Sequence, residues 1–343
     1  MTIKTTYSIL ALIVLSFLHG CSVSLYKGHG NTAGKGNSIL KITQAASKDL
    51  VVLITRRDDT LQRLAQQYLG DANKDWVIAD YNQIDHIVPG IEIAIPLKPF
   101  NPTGVFGNGL QTIPILCYHR FDDERGKMSV STDKFRQQMQ YLKDNGYRVI
   151  SLKDALSFFQ GKQAIPLRSV VITIDDGYRS NYTEAFPIFQ EFNFPATIFL
   201  YTDFLGAPDA LTYTQIREMH KSGLIDFQPH SKSHPNLVLM HGDDSEEEYR
   251  QRVEAEIESS SSRISSIIET DMFSFAYPFG DTNELVISKL KDRNFSVAAT
   301  VQPGTNPAFA TPFMLKRTMI FGDHDYETFI ASLQVFESLR LKE

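Results

Sequence analysis

The chain is short of several residue types, and each shortage excludes a class of protein. Its 343 residues include only two cysteines, Cys21 and Cys117, and one tryptophan, Trp76. Two cysteines cannot form the multi-bridge framework of a small disulfide-stabilised protein, and Cys117, set in an apolar run, is expected to be a small buried hydrophobe. The formal charge is -6. Because binding to nucleic acid requires clustered Lys and Arg, this composition argues against a nucleic-acid partner.

Long apolar runs are also scarce, and the most prominent one lies at the N-terminus. Lys4 precedes "YSILALIVLSFL", which is long enough for a signal-peptide core but short for a bilayer span. The run leads into "LHGC", which resembles a bacterial lipoprotein cleavage box, although His19 stands where a small residue is usual. We predict a lipoprotein-type signal peptide over residues 1–20, lipidation of Cys21, and an exported protein anchored to a membrane of the cell envelope, facing the periplasm or the exterior. The alternative is an ordinary signal peptide followed by an incidental cysteine.

Composition then predicts a flexible linker and a small folded module. Residues 21–48 are rich in Gly, Ser, Asn, Thr and Lys, which is typical of a spacer. Residues 49–98 show the order strand, helix, helix, strand, with Asp59 as the expected cap of the first helix. The segments "DDTL", "YLGD", "YNQ" and "VPGIEIAIPL" resemble a LysM module, which implies binding of N-acetylglucosamine-containing glycan. Asp58 and Gln62 depart from that pattern, and the alternative is an α/β module that has lost its glycan surface.

A larger α/β domain is predicted after a second linker. Residues 99–112 are rich in Pro, Gly and Asn, which marks a boundary. From 113 to 335, short apolar runs alternate with helical patterns, so we expect parallel strands with crossover helices. A barrel and an open doubly wound sheet both fit, and in both the reactive groups collect at the carboxyl ends of the strands. The acidic helix at 243–258 is interpreted as a solvated face without a function.

Three polar clusters follow apolar runs in this domain. Asp175 and Asp176 follow "VVITI", the pair His230 and His234 lies in "HSKSHP", and "YPFGD" follows "MFSFA". The four-residue spacing of the histidines predicts two imidazoles on one side of a helical turn, where they can bind one metal. Neighbouring strand residues face opposite ways, so both aspartates reach one pocket only if the backbone turns, which Gly177 allows. One carboxylate with two neutral imidazoles suits zinc or a similar borderline metal.

Taken together, the motifs "TIDDGY", "HSKSHP" and "AYPFG" resemble the first three motifs of the polysaccharide deacetylases of the NodB-homology, carbohydrate esterase family 4 type. The resemblance covers residues 113–335. It implies a distorted (β/α) barrel, which here would be preceded by the small LysM-like domain. It also implies one divalent metal ion, zinc by the donor types. The residues that match the family's site are Asp176, His230 and His234 as metal ligands, Asp175 as general base, and Phe279 as a backbone oxyanion donor.

The likeness to this family is incomplete in the later motifs. Ala276 stands where the family has an arginine that orients the base, and an aspartate with a downstream tryptophan is not recognisable. Arg317 is a candidate to replace the arginine, and His324 is the candidate general acid by position. His119, at the end of the domain's first strand, either faces the pocket or caps the strand.

These observations predict a metal-dependent hydrolase that removes N-acetyl groups from an N-acetylglucosamine-containing polysaccharide. The "FAYP" sequence favours an exopolysaccharide such as poly-N-acetylglucosamine, whereas the LysM likeness favours peptidoglycan. Two alternatives remain: a catalytically inactive glycan-binding envelope protein, and a deacetylase that acts on O-acetyl esters.

Overall fold

The computed structural model describes residues 43–98, 100–122, 126–242 and 244–339. The predicted signal peptide, Cys21 and most of the first predicted linker lie outside these ranges, so these features stay predictions. Within the described ranges, no helix combines the length and apolar character that a bilayer crossing requires.

The small module is a three-stranded antiparallel sheet packed against two helices. Its elements in chain order are β1 (Thr43–Ala46), β2 (Leu50–Ile54), α1 (Leu61–Leu69), α2 (Asp75–Asn82) and β3 (Glu92–Pro96). Strand β2 lies between β1 and β3. The core is formed by apolar side chains from both layers, among them Leu53, Leu64, Ile78 and Ile95.

Two details of this module differ from the prediction. Strand β1 lies in the segment predicted as linker, where pairing with β2 fixes it. Helix α1 is capped by Thr60, not Asp59: the Thr60 side chain accepts from the Arg63 N–H at 3.1 Å. The Asp59 carboxylate instead accepts from the Arg56 N–H at 2.8 Å and closes the turn that precedes the helix.

The larger domain alternates strands and helices, as predicted. Its strands are β4 (Val105–Phe106), β5 (Gly109–Tyr118), β6 (Arg148–Val149), β7 (Ser169–Asp176), β8 (Ala196–Leu200), β9 (Ile225–Pro229), β10 (Ser274–Ala276), β11 (Val297–Ala299), β12 (Thr305–Pro307), β13 (Thr318–Met319) and β14 (Phe336–Ser338). Its helices are α3 (Thr132–Asp144), α4 (Leu152–Phe159), α5 (Phe186–Phe192), α6 (Tyr213–Lys221), α7 (Glu246–Ile268), α8 (Glu284–Asp292) and α9 (Tyr326–Ala331).

Strands β5, β7, β8 and β9 form the parallel centre of the main sheet. Every residue of β7 and β8 is buried, because helices cover the outer face and the interior is filled with side chains. A strand buried on both faces has a continuous apolar sequence, which explains "VVITI". The second predicted linker is partly wrong, because Val105 and Phe106 form a two-residue hairpin with the start of β5 across Gly107 and Asn108.

The sheet curves into a ring. Beyond β9 come β10 and β11, which pair in parallel; Ala299 of β11 then bridges Leu315, and β13 pairs in parallel with β5. Between β9 and β10 a side chain makes the connection: the Gln228 carboxamide oxygen accepts from the N–H groups of Phe273 and Ser274 at 3.0 and 3.1 Å. We call this the β9–β10 seam. The ring is the distorted barrel that the motifs predicted.

Candidate active site

The two neighbouring aspartates reach one pocket because the chain reverses between them. Asp175 and Asp176 end β7, and Asp176 has a positive φ of 77°, followed by Gly177 at 85°. A side chain at position 177 would also be blocked, since a Cβ there would lie 2.4 Å from Leu200 Cδ2. The predicted turn is therefore present, but it begins at Asp176 itself, a left-handed residue that costs roughly 1–2 kcal/mol.

The two histidines are brought together by a loop, not by the helical turn that their spacing predicted. His230 directly follows β9, and the chain then reverses through Ser231 (φ 72°) and His234 (φ 59°). The Ser231 hydroxyl accepts from the His234 N–H at 2.9 Å and closes the loop. The prediction of a helix was wrong because a parallel strand ending at Pro229 continues directly into this tight reversal.

Asp176, His230 and His234 form a compact cluster of possible metal ligands. The Asp176 Oδ1 atom lies 3.8 Å from His230 Nε2 and 3.6 Å from His234 Nε2. His230 Nδ1 lies 2.7 Å from the Ala276 carbonyl oxygen. A carbonyl can only accept, so Nδ1 carries the proton and the lone pair of Nε2 points toward Asp176.

The protonation states of this cluster suit a cation. Burial raises the pKa of Asp176 to about 6, with His119 opposing the shift and the charge of Asp175 adding to it. Burial lowers the pKa of His230 to about 4, against the attraction of Asp175, and burial also lowers the pKa of His234. At neutral pH the cluster thus holds one carboxylate and two neutral imidazoles. A divalent ion would offset the charge of that carboxylate, so the donor set fits a metal of the zinc type.

Asp175 is held by Arg317, the candidate named for this purpose from the sequence. The guanidinium donates to both carboxylate oxygens at 2.7 Å, and both side chains are buried. Burial alone would raise the pKa of Asp175, but the positive charge of Arg317 and its hydrogen bonds to the carboxylate, with a contribution from His230, more than offset burial and hold that pKa well below its usual range. A second cluster, Cys117, His119 and Asp175, also brings possible ligand atoms within 4.8 Å of one another. Because Arg317 donates to both oxygens of Asp175, the cluster of Asp176 is the better candidate for holding a metal.

Of the other residues predicted from the sequence, the structure places some near the site and one away from it. A ring nitrogen of His119 lies near Asp175 in the second cluster, which favours the alternative in which this side chain faces the pocket. Phe279 lies beside the metal cluster: its ring is 4.9 Å from that of His234, and its backbone has a φ of 62°. His324 instead contacts Phe321, from whose N–H its Nδ1 accepts at 3.4 Å. No contact among the described residues joins His324 to Asp175 or to the metal cluster.

Two side chains near the site were missed or misjudged from the sequence. Cys117 is buried as predicted, but its Sγ lies 3.5 Å from Asp175 Oδ2. The signal was present, since Cys117 and His119 are two apart on one strand and therefore share a face. Glu256 lies in the acidic helix to which no function was assigned. Its carboxylate accepts from the N–H groups of Lys232 and Ser233 at 2.9 and 2.8 Å, and from the Ser233 hydroxyl at 2.7 Å.

The fold and the site together define an α/β-barrel protein in which three possible metal ligands, one Asp and two His, lie beside a carboxylate held by an arginine. Residues 162–298 match the family model described as polysaccharide deacetylase. The chain is 26% identical over 226 residues to the poly-beta-1,6-N-acetyl-D-glucosamine N-deacetylase of Escherichia coli K12, a match that covers 55% of this chain and 34% of that protein. It is 27% identical over 216 residues to the Staphylococcus epidermidis protein of the same name, covering 61% and 73%.

A solved structure agrees with these matches. The Streptococcus pyogenes deacetylase PplD, in complex with acetate, is 25% identical, and the superposition covers 65% of this chain and 98% of that one with a TM-score of 0.59. The chain spans about a third of the length of the E. coli relative. All three motifs lie within the residues that the family model matches, so the predicted resemblance to polysaccharide deacetylases is confirmed.

Proposed function

We propose that this protein is a metal-dependent hydrolase that removes N-acetyl groups from an N-acetylglucosamine polymer of the cell envelope. The observation that carries the proposal is the pairing of two units: the cluster of Asp176, His230 and His234, and the Asp175–Arg317 ion pair beside it. An inactive glycan-binding protein would not need a base held ionised next to a complete set of metal ligands. The names of the relatives favour an exopolysaccharide of the poly-N-acetylglucosamine type over peptidoglycan.

The reaction is assigned to four positions around the site. Asp176, His230 and His234 would hold a divalent ion, zinc by the donor set, which would supply a Lewis acid for the acetamido carbonyl and the attacking water. Asp175 takes the proton of that water, and Arg317 keeps this carboxylate ionised and fixes its direction. His119 then protonates the leaving amine nitrogen. The Phe279 N–H donates to the developing oxyanion.

The surroundings of the site suit a sugar ring. The Phe279 side chain is 60% exposed beside His234, and the Tyr201 ring lies 5.2 Å from the ring of His234 on another side. Aromatic rings of this kind can pack on the apolar face of a pyranose while the polar groups bind its acetamido group. The LysM-like module is proposed to hold the polymer, and the predicted lipid on Cys21 to keep the enzyme at a membrane.

Acetate release from a substrate panel tests this function. The purified protein, loaded with zinc, is incubated with β-1,6-linked N-acetylglucosamine oligomers, peptidoglycan and an O-acetylated polysaccharide. We expect release from the first. Asp175→Asn should keep its metal and lose activity, Asp176→Asn should lose both, and the exposed control Asp271→Asn should lose neither. Full activity of Asp175→Asn would falsify the assignment of the base, release from the ester alone would favour the esterase, and absence of release with metal bound would favour the inactive protein.

A further inference from the structure

A cleft separate from the active site lies between the small module and the deacetylase domain. It has a volume of about 280 Å³, near the lower end of the roughly 300–1,000 Å³ typical of small-molecule sites. One wall comes from α1, α2 and the end of β3, and the other from residues 100–111 and 163–167. The size suits one or two small rings of a ligand.

Contacts between the two domains fix the walls of this cleft. Arg148 forms an ion pair with Asp75 at 2.8 Å, and the Leu167 N–H donates to the Asp80 carboxylate at 3.0 Å. Asp75 is 5% exposed, so its pairing with Arg148 is largely shielded from water. The gap therefore belongs to a defined interface between two docked domains.

Aromatic side chains dominate the lining. Five of them face the cleft: Tyr68, Trp76, Tyr81, Phe100 and Phe106. Phe100 is 56% exposed at the mouth, and its ring packs edge-on against Tyr81 with centroids 5.1 Å apart. An exposed phenylalanine in such a place is available to a ligand, since its own protein covers less than half of it.

The polar lining favours a neutral ligand with many hydroxyl and amide groups. Asn101, Gln111 and Gln163 contribute carboxamides. The Asn101 side chain bonds the backbone of Val105 and the Gln111 amide donates to the Pro166 carbonyl oxygen, so the exposed Gln163 is the carboxamide offered to a ligand. The charged groups are of both signs: Lys74 and Asp80 line the cleft, and Lys98 is paired with Asp49. A phosphate ligand would require an excess of cations.

From this lining we infer that the cleft is a saccharide-binding site, taking one or two N-acetylhexosamine units of the polymer whose deacetylation is proposed above. The inference deepens that proposed function by giving the chain a second contact with its substrate. Aromatic faces would pack on the sugar rings, and the Gln163 carboxamide would bind a hydroxyl or acetamido group.

The only tryptophan of the chain lies in this cleft, so its fluorescence reports on the cleft alone. The full protein is titrated with chito-oligosaccharides and with β-1,6-linked N-acetylglucosamine oligomers, and the emission of Trp76 is followed. We expect a saturable change with at least one of them. Phe100→Ala should raise the Kd by roughly threefold to tenfold, the effect of losing one aromatic contact. The matched control is Phe309→Ala, a phenylalanine that is 64% exposed outside the cleft and should leave the Kd unchanged.

The same titration of Asp176→Asn separates this cleft from the active site. Binding should persist in that variant, because no metal ligand lines the cleft. No fluorescence change with either saccharide, an equal effect of Phe100→Ala and Phe309→Ala, loss of the signal in Asp176→Asn, or a response to decanoate alone would each overturn the inference. Acetate release without a fluorescence change rejects the cleft and leaves the proposed function standing, whereas saccharide binding without acetate release does the reverse.

Discussion

Arg317 and Asp175, which lie 142 residues apart in the sequence, meet as a buried bidentate ion pair at the centre of the barrel. Arg317 also donates through Nε to the Thr300 carbonyl oxygen at 2.9 Å, so its direction is fixed from both sides. In the family's usual arrangement the orienting arginine begins the third motif. Here Ala276 stands in that place, and Arg317, the residue just before β13, supplies the guanidinium instead.

Replacing Arg317 should damage both the stability and the pH profile. Arg317→Met leaves Asp175 buried without its partner, which typically destabilises by about 3–5 kcal/mol. Since burial then acts on Asp175 with less opposition, its pKa should rise and the acid limb of kcat/KM should move to higher pH. Arg317→Lys keeps the positive charge but cannot donate to both carboxylate oxygens in parallel, so a smaller shift of the acid limb is expected. The pH dependence of acetate release by both variants measures these shifts. An unmoved acid limb in Arg317→Met would contradict this role of Arg317.

His119 and His324 are the two candidates for the proton donor, and a variant of each distinguishes between them. His119→Gln should lower kcat by about 10²–10⁴-fold, the usual contribution of a general acid, with metal content unchanged. His324→Gln should retain kcat, because its described contacts are with Phe321 and Lys134. Single-turnover kinetics and metal analysis of both variants are the measurement. The opposite ranking would restore His324 as the acid.

Glu256 should set the affinity of the metal site without touching the metal. Its carboxylate accepts three hydrogen bonds from the loop between His230 and His234. A carboxamide at this position has one acceptor oxygen, so Glu256→Gln should weaken zinc binding by about 10–100-fold, as loss of a partner that orients ligands does. Competition with a chelator measures the affinity.

Glu258→Gln on the same helix is the matched control for Glu256. Glu258 pairs with Arg293 and is remote from the loop, so its removal should leave zinc affinity unchanged. The Tm of each metal-free variant separates a loosened loop from a destabilised helix. If both variants lose affinity equally, Glu256 acts only through the stability of α7.

Asp226 should destabilise the fold at neutral pH. Burial raises the pKa of Asp226 above 3.8, with the Gln228 hydrogen bond opposing the shift. A carboxyl whose folded pKa is raised favours folding at low pH, and that advantage is lost as the pH rises through the folded pKa. Asp226→Asn keeps an oxygen for Gln228 and should raise Tm at pH 7, with the gain vanishing below pH 3.8. A gain independent of pH would exclude this explanation.

The sequence predicted the chemistry of the site better than its geometry. Asp175, Asp176 and the two histidines could be placed because apolar runs mark the strand ends where side chains converge. The loop conformation could not be predicted, because a spacing of four fits a helical turn as well as a reversal through left-handed Ser231 and His234. Glu256 was overlooked because nothing in a run of charges shows which one faces a neighbouring loop. Arg317 could be named only as a candidate, since its partner is distant in the chain.

The β9–β10 seam also bears on how this barrel can vary. Where backbone pairs with backbone, an inserted residue shifts the register of a whole strand. At the seam, Gln228 joins β9 to the start of β10 through its side chain, and His230 joins the end of β9 to Ala276 in the same way. The connections before and after α7 can therefore lengthen or shorten while the two strand ends keep their positions. The barrel can thus take up connections of different length beside the candidate active site without a change in strand register.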